Sequence, residues 1–181
     1  MFVTTDQLEV GLDHVLGSPK DEGTLELIVR RPAVDEREVL EVGELSRTEG
    51  LVGDTWNVRP SKRTPDGGPH PDMQLNIINA RLIALLSPDE QRRPLAGDQL
   101  HVDLDLSLDN LPTGTRLAIG DSVIEITDQP HRGCQKFSSR FGLDALRFVN
   151  ASERAELRLR GINARVVEPG SIRTGDTVRK L

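Results

Sequence analysis

The chain has no tyrosine, one tryptophan (Trp56) and four phenylalanines, so aromatic residues make up only 3% of its 181 positions. Its core must therefore be built mainly from Leu, Val and Ile, and stacking of nucleic-acid bases on aromatic faces is excluded as a main binding mode. A basic excess is missing too. The net charge is −6, with 29 acidic residues against 23 Lys and Arg, which argues against a DNA or RNA partner while leaving room for a local positive cluster. With a single cysteine, Cys134, there is no internal disulfide. No apolar run approaches the ~20 residues of a membrane span, and the opening Met-Phe-Val-Thr-Thr-Asp has neither the basic nor the apolar region of a secretory signal. These absences predict a soluble protein of a reducing cytoplasm with no membrane partner. G-x-G-x-x-G after a strand, G-x-x-x-x-G-K-[ST] and C-x-x-C are all lacking, which leaves the common nicotinamide, nucleoside-triphosphate and zinc sites unsupported.

What is present reads as one domain spanning 1–181. Leu8, Leu12, Val15 and Leu16 share a face of a helix over Thr5–Leu16, with Thr4, Thr5 or Asp6 as its cap. Strands are predicted over 24–30, with Leu25, Leu27 and Val29 on one face, and over 37–45, 73–78 and 100–104. Asn79 caps a short helix over 79–86. Gly120-Asp121 joins Arg116–Ile119 to 122–127 as a hairpin. Helices follow over 136–141 and Leu143–Val149, with 151–159 continuing as helix. The last strands are 162–167 and Thr177–Lys180, with Glu168-Pro169-Gly170-Ser171 as a turn. Short strands between Gly-Asp and Pro-Gly turns predict a mainly antiparallel barrel or sandwich with a few helices. The segment 57–72, with four prolines and Arg59, Lys62 and Arg63, is either a solvated loop or a lid that contacts an anion.

Cys134 stands in Gln129-Pro130-His131-Arg132-Gly133-Cys134-Gln135-Lys136-Phe137. Arg132, Lys136 and Arg140 lie within six residues of it, the kind of electropositive setting that favours a thiolate. Gly133 removes side-chain bulk directly before the sulfur. A thiolate is a nucleophile and a soft metal ligand. His131, His70, His101 and His14 are the available bases, but no spacing fixes a Cys-His pair, so a cysteine hydrolase is weakly supported. A second basic cluster, Arg158 to Arg165, is either a charged strand edge or a source of guanidinium groups for an anion beside Cys134.

The ordered set Gly53-Asp54, Gly97-Asp98-Gln99-Leu100, Leu111-Pro112-x-Gly114-Thr115-Arg116-Leu117-x-Ile119-Gly120-Asp121, Cys134, Arg160-Gly161-x-x-Ala164-Arg165-Val166-Val167-x-Pro169-Gly170 and Arg173-x-Gly175-Asp176 resembles the MOSC domain over about 45–180. This is the C-terminal module of molybdenum cofactor sulfurases, and it also occurs alone in bacteria and in the mitochondrial amidoxime-reducing component. The resemblance implies a MOSC-like antiparallel β-barrel with a few short helices. It implies Cys134 as the catalytic residue and molybdenum ligand. Arg132, Gly133, Lys136, Arg160, Asn163 and Arg165 are then the candidates for contact with the molybdenum cofactor (molybdopterin). The implied activity is reduction of N-hydroxylated small-molecule substrates with electrons from a separate donor protein. The alternatives are a non-catalytic persulfide carrier on Cys134, served by a sulfur-donor protein, and a cofactor-free module that binds a small molecule or a partner. The cysteine loop here lacks the Pro-Cys form common in the family. The pyridoxal-phosphate lysine domain of the sulfurases is absent, as is any cysteine set for an iron–sulfur cluster.

Overall fold

The computed structural model describes residues 2–181. In chain order its strands are β1 (Glu22–Arg30), β2 (Glu38–Leu40), β3 (Val42–Ser46), β4 (Gly50–Leu51), β5 (Leu75–Asn79), β6 (Leu100–Asp103), β7 (Arg116–Ile119), β8 (Ser122–Ile126), β9 (Ile162–Glu168), β10 (Gly170–Arg173) and β11 (Thr177–Lys180). The α-helices are α1 (Thr5–Leu16), α2 (Ala80–Leu86), α3 (Gln135–Phe141) and α4 (Leu143–Val149). Seven strands close into a barrel in the order β1, β11, β7, β8, β9, β5, β6, and pairing of β1 with both β11 and β6 completes the ring. Every neighbouring pair in the ring is antiparallel except β5 and β6, which α2 connects as a parallel pair. Beside the barrel, β10, β3 and β4 form a small second sheet.

Two aliphatic-rich cores follow from this layout. The barrel interior holds Leu25, Ile28, Leu75, Ile77, Leu100, Val102, Leu117, Ile124, Ile162 and Ala164, with no aromatic side chain. That is the physical outcome of a sequence so poor in Phe, Trp and Tyr. The second core lies between the barrel and the helices, where Leu8, Ile78, Leu82, Ile83, Phe137, Phe141 and Phe148 pack together. β5 serves both: Leu75 and Ile77 point into the barrel and Ile78 into the helical layer. Burying each such side chain contributes about 1.5–3 kcal/mol. The predicted α1 is found as expected, closed by a reciprocal box in which the Gln7 N–H donates to Thr4 Oγ1 and the Thr4 N–H to Gln7 Oε1.

Several elements differ from the sequence reading. In β1 a register shift between Leu25 and Leu27 turns Ile28, not Leu27, into the barrel. The predicted strand over 37–45 is two strands in different sheets. β2 pairs with β1, and the chain then breaks at Glu41, whose carbonyl accepts the Thr174 N–H at 2.9 Å, before β3 pairs with β10. Gly170 and Ser171, read as a turn, belong to that strand partner. The segment read as helix over 151–159 is a 3-10 stretch over Ser152–Leu157, kinked at Arg154. The Pro-rich segment is anchored by buried Trp56, whose indole N–H donates to the His70 carbonyl at 3.2 Å.

Candidate functional site

The turn Gly97-Asp98-Gln99 that leads into β6 is the hub of a buried polar network. Asp98 and Gln99 are fully buried. Gly97 adopts φ +83°, and a side chain there would press on the Arg37 guanidinium, so the turn needs a residue without Cβ. On one side stands Arg31, at the end of β1. Its Nε and Nη2 donate to Asp54 at 2.8 and 2.7 Å, and its Nη1 reaches Asn76 Oδ1 and the Gly97 carbonyl, both at 3.1 Å. Gln99 donates to the Gln74 carbonyl at 3.0 Å and accepts the Asn76 N–H at 2.8 Å. The Asn76 amide donates to Asn163 at 2.6 Å, and Asn163 in turn donates to the Gln129 carbonyl at 3.0 Å. Buried charges of this kind persist only when paired and fully bonded.

On the other side Asp98 accepts both of its close contacts from Arg160 Nη1, at 2.8 Å each. The Arg160 guanidinium lies over the Phe137 ring at 4.8 Å, a cation–π contact. His131 Nδ1 stands 3.5 Å from Asp98. Burial, then Arg160 and Arg31, hold the His131 pKa well below its ordinary value, so the ring is neutral. Burial raises the Asp98 pKa against the opposing pull of Arg160. The Nε of Arg37, the Nε of Arg160 and the Nδ1 of His131 have no hydrogen-bond partner among the described residues.

Cys134 carries a free, exposed thiol at the residue before α3. The preceding Gly133 is held at both of its backbone polar groups by Asn150: its N–H donates to Oδ1 at 2.9 Å and its carbonyl accepts from Nδ2 at 3.0 Å. From α3, Lys136 and Arg140 both reach Asp35, at 2.9 and 2.8 Å. Arg140 and Arg31 in turn sit close enough to Arg37 to help burial lower its pKa, and Arg31 does the same for Arg59, again after burial. Five cations (Arg31, Arg37, Arg59, Lys136 and Arg140) thus cluster around two carboxylates, Asp35 and Asp54.

The structure brings most of the sequence candidates into this region. Arg132, Gly133, Cys134 and Lys136 follow one another on the cysteine loop and the start of α3. Arg160 joins them through Asp98 and His131, and Asn163 through Gln129. Arg165 lies on an exposed face of β9, where it pairs with Asp72 at 3.1 Å and Glu125 at 2.6 Å. β9 starts at Ile162, so Arg158 and Arg160 precede it and do not share a strand face. Arg31, Arg37, Asn76 and Asn150 were not singled out from the sequence. The one signal for Arg31 was the pair of Gly-Asp turns, since an acid buried behind a glycine turn needs a cation from elsewhere. Beside the loop is a cleft of about 340 Å³, lined among others by Gln129, His131, Arg132, Asn150, Arg158 and Arg160; Cys134 is not among its lining residues.

This geometry lies largely within the stretch matched by the family model described as MOSC domain, residues 73–179, more than half of the chain. The chain belongs to the MOSC domain family. The matched stretch takes in Asp98, Cys134, Asn150 and Arg160, while Arg31, Arg37 and Asp54 come from the segment before it. Solved structures share the fold. The YuaD protein from Bacillus subtilis is 16% identical with a TM-score of 0.60, covering 88% of this chain and 95% of that one. YiiM from Escherichia coli is 18% identical with a TM-score of 0.56, covering 87% and 69%. YiiM from Geobacillus stearothermophilus is 12% identical with a TM-score of 0.53, covering 91% and 74%. No curated protein matches the sequence. No helix of this MOSC domain protein, among the described residues, is long and apolar enough to cross a membrane.

Proposed function

We propose that this MOSC domain holds a molybdenum cofactor, with Cys134 as the protein ligand to the metal, and acts as the reductase component toward N-hydroxylated small molecules, drawing electrons from a separate protein. The observation that carries this reading is the exposed Cys134 thiol followed directly by α3, whose Lys136 and Arg140 belong to a cation cluster with too few carboxylates. The donor set fits the group. A thiolate is a soft ligand of the kind a molybdenum centre accepts, and guanidinium forks suit a phosphate. The unpartnered buried Nε of Arg37 is a donor still lacking an acceptor. When bound, the cofactor supplies the redox-active metal. The chain's own residues then have separate tasks. Arg37, Arg59 and Arg140 bind the anionic phosphate, and Asn150 orients the cysteine loop through Gly133. Burial, with Arg160 and Arg31 beside it, keeps His131 of the same loop neutral.

The test is molybdenum and pterin content of protein made in a host that synthesises the cofactor. Near-stoichiometric metal in the wild type, lost in Cys134→Ser, is the expected result. Full metal content in Cys134→Ser, or none in a well-folded wild type, overturns the reading. A second reading, a persulfide carrier, is favoured by one observation: Cys134 is exposed and lies outside the lining of the neighbouring cleft, open for hand-off to another protein. Cyanide-labile sulfur on Cys134 in metal-free protein would select it.

A further inference from the structure

Arg158 carries features that neither the barrel nor the cofactor reading uses. It is one of two non-glycine residues with positive φ among the described residues, at φ 49° and ψ 42°. A long side chain in this left-handed conformation is disfavoured and tends to persist where the surroundings demand it. Its guanidinium is half-buried, and burial is the cause that lowers its pKa. One of its nitrogens donates to the Leu111 carbonyl at 2.6 Å, and no carboxylate forms an ion pair with it among the described residues. A half-buried cation without a counter-charge bears part of the cost of desolvation, which a bound anion would offset. The residue lines the cleft of about 340 Å³ beside the cysteine loop, at the small end of the range for ligand pockets. Within that lining Arg160 is already neutralised by Asp98. Arg132 and Arg158 remain as cations against the single exposed carboxylate of Asp128, whose Oδ1 accepts from Gln129. Pro130, Val149 and Ala155 add apolar wall.

We propose that this cleft is a binding site for a small-molecule oxyanion, a carboxylate or a phosphate monoester, held by the Arg158 guanidinium while the body of the molecule rests on the apolar wall. The cleft shares His131, Arg132, Asn150 and Arg160 with the surroundings of the cysteine loop, but Arg158 has no part in the cofactor reading and Cys134 does not line the cleft. The site can therefore be tested on metal-free protein, and either proposal can fail alone.

Calorimetric titration of metal-free protein with benzoate, phenyl phosphate and the neutral benzamide is the test. The expected result is that at least one anionic probe binds about 10-fold or more tightly than benzamide, and the tighter of the two names the class of oxyanion. Arg158→Asn, chosen because Asn tolerates the left-handed conformation, should lose that preference, and Arg158→Lys should retain part of it. No preference for either anion in the wild type overturns the proposal, whatever the variants do. So does a preference that survives intact in folded Arg158→Asn.

Discussion

Asn150 at the end of α4 grips Gly133 through both backbone polar groups, 2.9 Å to the N–H and 3.0 Å to the carbonyl, and so fixes the residue immediately before the Cys134 sulfur. The amide imitates one rung of a β-ladder, and it docks the cysteine loop on α4, where Leu146 and Val149 close over Gly133. Asn150→Ala removes both bonds. Each is worth about 0.5–1.5 kcal/mol net, so stability should fall by only about 1–3 kcal/mol while the loop loosens. Alkylation of Cys134 in the folded protein should become several-fold faster, with Asn150→Asp in between because it keeps the acceptor and loses the donor. An unchanged alkylation rate would show that the clamp does not set the thiol's surroundings.

Arg31 and Asp54 should tolerate substitution very differently from surface ion pairs. Their side chains are 5% and 0% exposed, and Asp54 also accepts from the Arg31 and Trp56 N–H groups and from Gln99. Breaking a buried pair costs about 3–5 kcal/mol. Asp54→Ala should sit at the upper end, because it strands several donors at once. Arg31→Met should be milder, since Asp54 keeps the Gln99 and backbone donors. Urea midpoints in the reverse order would contradict this account.

Gly161 is where the chain turns from Arg160 into β9. It has φ +110°, and a Cβ there would overlap the Ile77 carbonyl oxygen and press on His131 Nδ1. The β5 backbone cannot retreat without disturbing its pairing with β9. Gly161→Ala should therefore cost about 3 kcal/mol or more, from the strained backbone conformation and overpacking together. Thermal unfolding reads this directly, and a near-wild-type midpoint would refute it.

His101 in β6 is buried, its Nε2 has no partner among the described residues, and burial followed by Arg160 lowers its pKa to about 3. The folded state therefore resists protonation that the unfolded chain accepts below about pH 6.5. Its contribution is fully present above that pH and is lost as the pH falls toward about 3. The slope from this one group approaches about 1.4 kcal/mol per pH unit. Neutral His131 acts in the same direction. Asp98, with its pKa raised, has the opposite sign and weighs in nearer the carboxylate range. Between pH 6.5 and 5 the urea midpoint should fall, and His101→Gln should flatten that slope.

Local pattern decided the elements that local physics controls. The helix α1 with Leu8, Leu12 and Val15 on its inner face and Thr4 among its candidate caps, the Asn79 cap of α2, and the hairpin turning at Gly120 were all legible, whereas the choice of Thr4, its box with Gln7 and the exposure of Leu16 were not. Each legible feature rests on neighbours within a few residues. The break at Glu41 was not, because Val39 to Leu45 reads as a continuous strand until one knows that β1 and β10 lie in different sheets. The 3-10 stretch over Ser152–Leu157 likewise looks helical by composition, and the kink at Arg154 is visible only in its backbone conformation.

The same division holds for the site. The sequence by itself determined an aliphatic barrel, a lone thiol among basic residues, and the family to which that order of Gly-Asp turns belongs. Only the tertiary structure decided which cations serve the site. Arg165 and Asn163 share the outward parity of β9, yet one is exposed to Asp72 and Glu125 while the other is buried in the Asn76–Gln129 network. Arg31 and Arg160, 129 positions apart in the chain, meet on opposite sides of one buried turn. A buried charge is stable only beside its counter-charge, and that partner is chosen by the closing of the barrel, which no local spacing encodes.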